Sequence, residues 1–245
     1  MEKYEYVKNL EVGYCDVDFK EQLKPSVLLK YFEEAATRSA EELGFGYSFC
    51  KENGFAFFLT EIHVEVLRMA RVQDKIRIKT WPLKPSFVVF NREYQISDDR
   101  DNVLIAATSR WGLVDLKEGK ILPSKTVEGQ DYSTYRTDKA LEVSGKMKRF
   151  DPIEGYLAYS MTVANSEYDH NMHVNNTRYA DYVFNCFTVK QLKENTLKSF
   201  ALSYVKQCHE GEIIRFYRKD DGKETLVCGV NESDEIVMRA EVVFN

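Results

Sequence analysis

The stretch Tyr168-Asp169-His170-Asn171-Met172-His173-Val174-Asn175-Asn176-Thr177-Arg178-Tyr179 sets a carboxylate, an amide and an imidazole at alternate positions, directly ahead of a predicted helix. In an extended turn alternate side chains point the same way, so Asp169, Asn171 and His173 are expected to converge. A carboxylate or imidazole can activate water against a carbonyl carbon, or the carboxylate can attack directly. N–H groups at the start of a helix can stabilise the negative charge that develops on the carbonyl oxygen. Asn175 and Asn176 read first as helix caps and are supporting candidates only.

Two other chemistries compete for these residues. His170 and His173 with Asp169 could suggest a metal, but the spacing falls ahead of a helix and no other cluster supports it, so no metal is expected. Cys208 invites a thiol-nucleophile reading, whereas a buried strand cysteine is the commoner situation. The five cysteines are widely spaced, odd in number and contain no C-x-x-C pair, which fits free thiols in a reducing compartment.

The elements that must position the site occur twice. A weakly alternating strand over 7–13 leads into a polar turn. A helix follows over about 26–43, where Val27, Tyr31 and Ala35, and Leu28, Phe32 and Ala36, form two adjacent apolar rows. Strands follow at 55–66, 75–81, 87–97 and 103–115. The order restarts with a strand over 156–164, a polar turn, a helix over about 176–193, and strands at 200–207, 212–218, 225–231 and 236–244. Asp18 and Asp169 lie 151 positions apart (169 − 18), and the same offset pairs Leu23 with Val174 and Tyr31 with Tyr182. Gln73-Asp74 falls against Gly211-Glu212. Together these signs point to a duplicated α+β unit, each copy a long antiparallel sheet wrapped around a central helix. The expected organisation is an N-terminal module over 1–125, a linker over 126–152 and a C-terminal module over 153–245 that carries the chemistry.

The motif D-x-N-x-H-V-N-N-x-x-Y, together with Asn91-Arg92-Glu93-Tyr94-Gln95-Ile96 and Ser109-Arg110-Trp111-Gly112-Leu113-Val114-Asp115, resembles the acyl-acyl carrier protein (acyl-ACP) thioesterases. The resemblance covers nearly the whole chain. It implies two tandem hotdog modules and hydrolysis of fatty acyl-ACP to free fatty acid and ACP in fatty acid biosynthesis, with no cofactor. Carried over by position, Asp169, Asn171 and His173 match the family's catalytic Asp, Asn and His. The family tends to place Glu before Cys on a later strand; here the pair is Gln207-Cys208. Gln cannot act as a base at neutral pH, which shifts weight to Asp169 as base or nucleophile. In the first module Asp18, Lys20 and Gln22 stand where the second has Asp169, Asn171 and His173, so one active site per chain is expected. The first module is expected to shape the acyl pocket, with Phe32, Phe55, Phe57 and Phe58 as candidates that core packing explains equally well. The same chemistry on coenzyme A esters, or acyl binding without hydrolysis, are the alternatives.

The composition agrees with a globular chain: 44% hydrophobic and 30% charged residues over 245 positions. A net charge of −5 argues against a general nucleic-acid binder. The basic cluster Lys146-Met147-Lys148-Arg149 reads as a solvated linker or as a docking patch for an acidic carrier protein. No apolar run approaches a membrane span, and the N-terminus carries no signal or transit pattern, so a cytoplasmic protein is expected, as a monomer or homodimer.

Overall fold

The computed structural model describes residues 3–127, 132–143, 145–169 and 172–245. The chain divides into two compact units, 1–142 and 143–245. Unit 1 contains β1 (Tyr6–Glu11), α1 (Pro25–Glu42), α2 (Tyr47–Asn53), β2 (Phe55–Val66), β3 (Lys75–Pro82), β4 (Phe90–Asp98), β5 (Val103–Asp115) and β6 (Lys120–Leu122). Unit 2 contains β7 (Tyr156–Thr162), α3 (Arg178–Phe184), α4 (Val189–Glu194), β8 (Leu197–Tyr204), β9 (Ile213–Asp221), β10 (Glu224–Val230) and β11 (Ile236–Phe244).

Both units lay out their strands in the same order. Unit 1 runs β1-β3-β4-β5-β2 and unit 2 runs β7-β9-β10-β11-β8, with every pairing antiparallel. The short β6 pairs with the end of β5, beyond the residues that β4 covers. The connections repeat as well. Val12 N donates to Asp74 O (3.0 Å) in unit 1, and Val163 N to Glu212 O (2.9 Å) in unit 2. Gln73 N returns to Val12 O (2.8 Å) and Gly211 N to Val163 O (3.0 Å). These are the positions that the sequence offset pairs.

The helix of unit 1 forms as its pattern dictates. Pro25 opens it at the first turn, where its missing N–H costs nothing, and Gly44, at φ +79°, follows the C-cap Leu43. Leu28, Leu29, Phe32, Ala35 and Ala36 are buried, and the Phe32 ring lies 4.5 Å from that of Tyr94 on β4. Small alanines on this face let the sheet approach. Burying Phe32 alone contributes about 2–3 kcal/mol.

Unit 2 departs from expectation. Its helix is not continuous over 176–193 but breaks after Phe184 and restarts at Val189. Thr188 causes the restart: its hydroxyl accepts from Gln191 N (3.2 Å) while its own N–H donates to Gln191 Oε1 (2.9 Å), a reciprocal cap. At the break the buried Arg218 donates from Nη1 to Cys186 O (2.9 Å) and lies 4.2 Å over the Phe187 ring. In this way β9 holds the end of α3. The strand expected over 200–207 ends earlier, at Tyr204, so Gln207 and Cys208 sit in the β8–β9 connection and not on a strand. In unit 1, the short helix α2 was not foreseen.

Buried polar groups tie the sheet of unit 1 to the chain beyond it. Glu93, fully buried on β4, accepts from Thr108 Oγ1 (2.6 Å), Ala140 N (2.9 Å) and Leu141 N (3.4 Å), and burial pushes its carboxyl upward. Trp81 Nε1 donates to Asp138 O (3.0 Å), and Arg136 lies 3.8 Å over the Trp81 ring. Val127 and Tyr135 are buried with Phe45, Cys50 and Leu113.

If Arg218 fixes the end of α3, replacing it by Met leaves Cys186 O buried without that donor. Arg218→Met is expected to cost about 2 kcal/mol and to lower Tm by roughly 5 °C. Thermal unfolding followed by circular dichroism checks this; an unchanged Tm contradicts the role.

Candidate active site

Asp169 and His173 come together across a reversal of the chain. Asp169 N donates to His173 O (2.8 Å), Met172 N donates to Asp169 O (3.1 Å), and His173 N lies 3.4 Å from Asp169 Oδ1. Tyr168 and Val174 bridge outside this pair. The segment is therefore folded back and not extended, and the contact across it runs from the His173 backbone N–H to the Asp169 carboxylate. Met172 takes φ 61° to make the reversal, a conformation that costs a non-glycine residue about 1–2 kcal/mol. Asp169 and His173 are both partly buried. His170 and Asn171 lie outside the described residues.

The turn is anchored on both sides. Asn175 N donates to Glu167 O (2.9 Å), and Asn175 Oδ1 accepts from Thr177 N (2.8 Å) and Thr177 Oγ1 (2.6 Å). Asn175 thus shapes the entry to α3, although the helix N-cap itself is Thr177. Asn176 O accepts from Tyr204 Oη (3.0 Å) at the end of β8. Tyr168 Oη accepts from Glu210 N (2.7 Å), which ties the β8–β9 connection to the turn. Glu167 holds a bidentate pair with Arg178, at 2.7 Å to Nε and 3.1 Å to Nη2, and accepts from Tyr182 Oη. Arg178, first among these donors, holds the Glu167 carboxyl below the usual carboxylate range. Sequence reading missed Glu167. Its signal was present: Tyr182 has its partner in Tyr31 at the 151-residue offset, and Tyr31 donates to Asp16 Oδ2 (2.8 Å), the position equivalent to Glu167.

Unit 1 builds the same turn with different chemistry. Asp18 N donates to Gln22 O (2.8 Å), Glu21 N to Asp18 O (3.0 Å), and Glu21 takes φ 57°. The Asp18 carboxylate accepts from Lys20 N (2.7 Å) and Gln22 N (3.1 Å). The backbone of the site is duplicated, and the histidine is not.

Cys208 is buried and accepts from Tyr179 Oη (3.3 Å); burial pushes its thiol up to about 11. Such a thiol carries almost no thiolate at neutral pH. Gln207, its neighbour, is partly buried. Among the described residues no group of three or more His, Cys, Asp and Glu side chains is placed to hold a metal ion. In the basic cluster, Lys148 bonds Glu224 through its ammonium and Glu241 through its backbone N–H.

Two family models cover the chain: the acyl-ACP thioesterase N-terminal domain over residues 3–125 and the C-terminal domain over 151–245. The chain belongs to the acyl-ACP thioesterase family. Among its relatives, a chloroplastic acyl-[acyl-carrier-protein] hydrolase of Cuphea viscosissima is 24% identical over 198 residues, which is 76% of this chain and 48% of that protein. A chloroplastic palmitoyl-acyl carrier protein thioesterase of Gossypium hirsutum is 22% identical over 86% of this chain and 54% of its own length. The chain thus spans about half the length of the curated relatives it matches. Among solved structures, an acyl-ACP thioesterase from Bacteroides thetaiotaomicron superposes with a TM-score of 0.89 at 20% identity, covering 98% of both chains. The 12:0-ACP thioesterase of Umbellularia californica gives 0.88 at 17% identity over 98% of this chain and 97% of that one. At these identities the likeness is one of fold: acyl-ACP thioesterase structures share these antiparallel sheets with few helices. Among the described residues no helix is long and apolar enough to cross a membrane.

The exposed Cys15 and the buried Cys208 should differ sharply toward iodoacetamide at pH 8. Cys15 is expected to label at least about 100-fold faster, with Cys208 reacting only after denaturation. Mass spectrometry of timed samples checks this. Comparable native rates would overturn the description of Cys208 as an inert structural thiol.

Proposed function

We propose that this chain hydrolyses fatty acyl-ACP thioesters to free fatty acid and ACP, using Asp169, Asn171 and His173 of unit 2. The observation that carries the reading is the closed turn that binds Asp169 and His173 through their backbones, in a chain of the acyl-ACP thioesterase family. In this account Asp169 accepts a proton from water as the water oxygen attacks the thioester carbon. The tetrahedral intermediate collapses with loss of the C–S bond, and the departing thiolate takes up the proton that Asp169 accepted, which returns Asp169 to its carboxylate form. His173 and Asn171 orient the water and polarise the carbonyl. Gln207 donates and accepts hydrogen bonds to orient these groups without taking a proton.

The proposed architecture is two tandem hotdog modules, each a sheet wrapped on its helix. Supporting it are the shared strand order and the ring contacts of helix on sheet, Phe32 to Tyr94 in unit 1 and Tyr182 to Phe216 (5.7 Å) in unit 2. Unit 1 has no reaction of its own in this reading, because Gln22 stands where unit 2 has His173. Phe55 and Phe57, partly buried beside Phe45 and Phe90, are proposed together with Phe58 to shape the acyl site, while Phe32 belongs to the helix–sheet core. A cytoplasmic location is proposed on the five free thiols, which suit a reducing compartment.

Free-thiol release from a panel of acyl-ACP and acyl-coenzyme A esters tests the reading. Turnover is expected to favour the ACP esters and to fall about 100-fold or more in a folded His173→Ala variant. A preference for coenzyme A esters would reassign the carrier. Acyl retention without turnover on any carrier would make the chain a binding module. A second variant tests the proton acceptor. If Asp169 is the base, Gln207→Glu should change kcat by less than about threefold; a gain above about tenfold would move the base to position 207.

A further inference from the structure

Glu167 is engaged on three sides at the root of the candidate turn. It ends a 3-10 turn over Asn165–Glu167 and is 9% exposed. Its carbonyl receives Asn175 N, on the far side of the reversal. Its carboxylate receives Nε and Nη2 of Arg178, the first residue of α3, and the hydroxyl of Tyr182 one turn further on. Arg178 N in turn donates to Asn175 O (3.0 Å), which closes a ring of bonds through both ends of the 168–174 segment. Burying a carboxylate is costly unless charged and hydrogen-bonding partners meet it. The forked guanidinium supplies both and fixes direction as well as distance.

Unit 1 provides a comparison inside the same chain. Asp16 occupies the equivalent place, its carbonyl accepts from Lys24 N (3.0 Å), and its carboxylate accepts from Tyr31 Oη. The residue 151 positions before Arg178 is Val27, which cannot donate. The tyrosine contact is common to both units, whereas the guanidinium contact occurs in the unit whose turn carries the aspartate–histidine pair. A turn needed only for folding is closed in unit 1 without it.

We infer that Glu167 is a positioning residue for the reaction: gripped by Arg178 and Tyr182, it fixes the turn so that Asp169 and His173 hold a reactive alignment. This rests on the hydrolytic reading of the site. A carboxylate base displaced by about 1 Å from its water loses up to about 100-fold in rate. Loosening the turn should therefore act on kcat and spare substrate binding.

The test combines two readouts on the full chain. Hydrogen exchange at the amides of Asp169 and Asn175 reports whether the turn is held, without need of substrate. Steady-state kinetics on the acyl-ACP ester that the wild type turns over best reports whether holding it matters. In Glu167→Gln, exchange at both amides is expected to rise about tenfold or more, and kcat to fall roughly 30-fold with KM within about twofold. Tyr182→Phe, which removes one hydroxyl and preserves the packed ring, should shift both in the same direction to a smaller extent and serves if Glu167→Gln fails to fold. Asp16→Asn, the comparator in unit 1, should leave kcat within about twofold. Faster exchange with unchanged kcat would make the clamp purely structural, and unchanged exchange would mean that it does not hold the turn; either overturns the inference. Absence of turnover by the wild type would overturn the hydrolytic reading itself, a result distinct from an active wild type matched by an equally active Glu167→Gln.

Discussion

The backbone bond from Asp169 N to His173 O is the constraint around which unit 2 is arranged. It forces the chain to reverse within five residues, puts Met172 in the left-handed region, and delivers Asn175 to the place where α3 can begin. A reversal of this kind leaves backbone groups that must find partners nearby. They find them in Glu167, Asn175 and Tyr204, and the Tyr168 hydroxyl accepts from Glu210 N of the β8–β9 connection. The same bond, from Asp18 N to Gln22 O, organises unit 1. Its recurrence with a different set of side chains separates two demands on one piece of backbone. The fold needs the turn; the proposed chemistry needs the histidine and the guanidinium-held carboxylate that stand at the turn of unit 2.

Much of this was legible in the sequence where periodicity carries the signal. The apolar rows of α1, with Pro25 before them and Gly44 after, fixed that helix to within a residue. β2, β5 and β11 fall where alternation and turn residues put them. The repeat offset, first seen in a handful of residues, reappears as equivalent backbone bonds and identical strand order. The break between α3 and α4 was less visible, because Val183 and Cys186 continue a helical face into Val189. Thr188 and Gln191, three apart, were the signal of a new helix start. The helix α2 is a single short segment between Gly46 and Gly54, too brief for a period to emerge.

At the site, residue types were more legible than their geometry. Alternation suggested that Asp169 and His173 would share a side of an extended chain, whereas their backbones pair across a closed turn. Gln207 was expected at the end of a strand over 200–207, and Cys208 beside it through the family pattern; the strand stops at Tyr204, whose hydroxyl donates to Asn176 O. Glu167 escaped notice because a lone acidic residue in a polar turn looks solvated. Its role follows only from long-range partners, Arg178 and Tyr182, whose convergence is a property of the fold.

The central claim is that one of two equivalent turns carries the chemistry. Asp169→Asn and Asp18→Asn are matched changes, since the amide oxygen retains the acceptor that each turn uses while the ability to take a proton is lost. Single-turnover hydrolysis of an acyl-ACP ester by the two variants is the direct comparison. The account predicts a loss of about 100-fold or more for Asp169→Asn and a rate within about twofold of wild type for Asp18→Asn. Equal rates in the two variants, or a larger loss in Asp18→Asn, would contradict it.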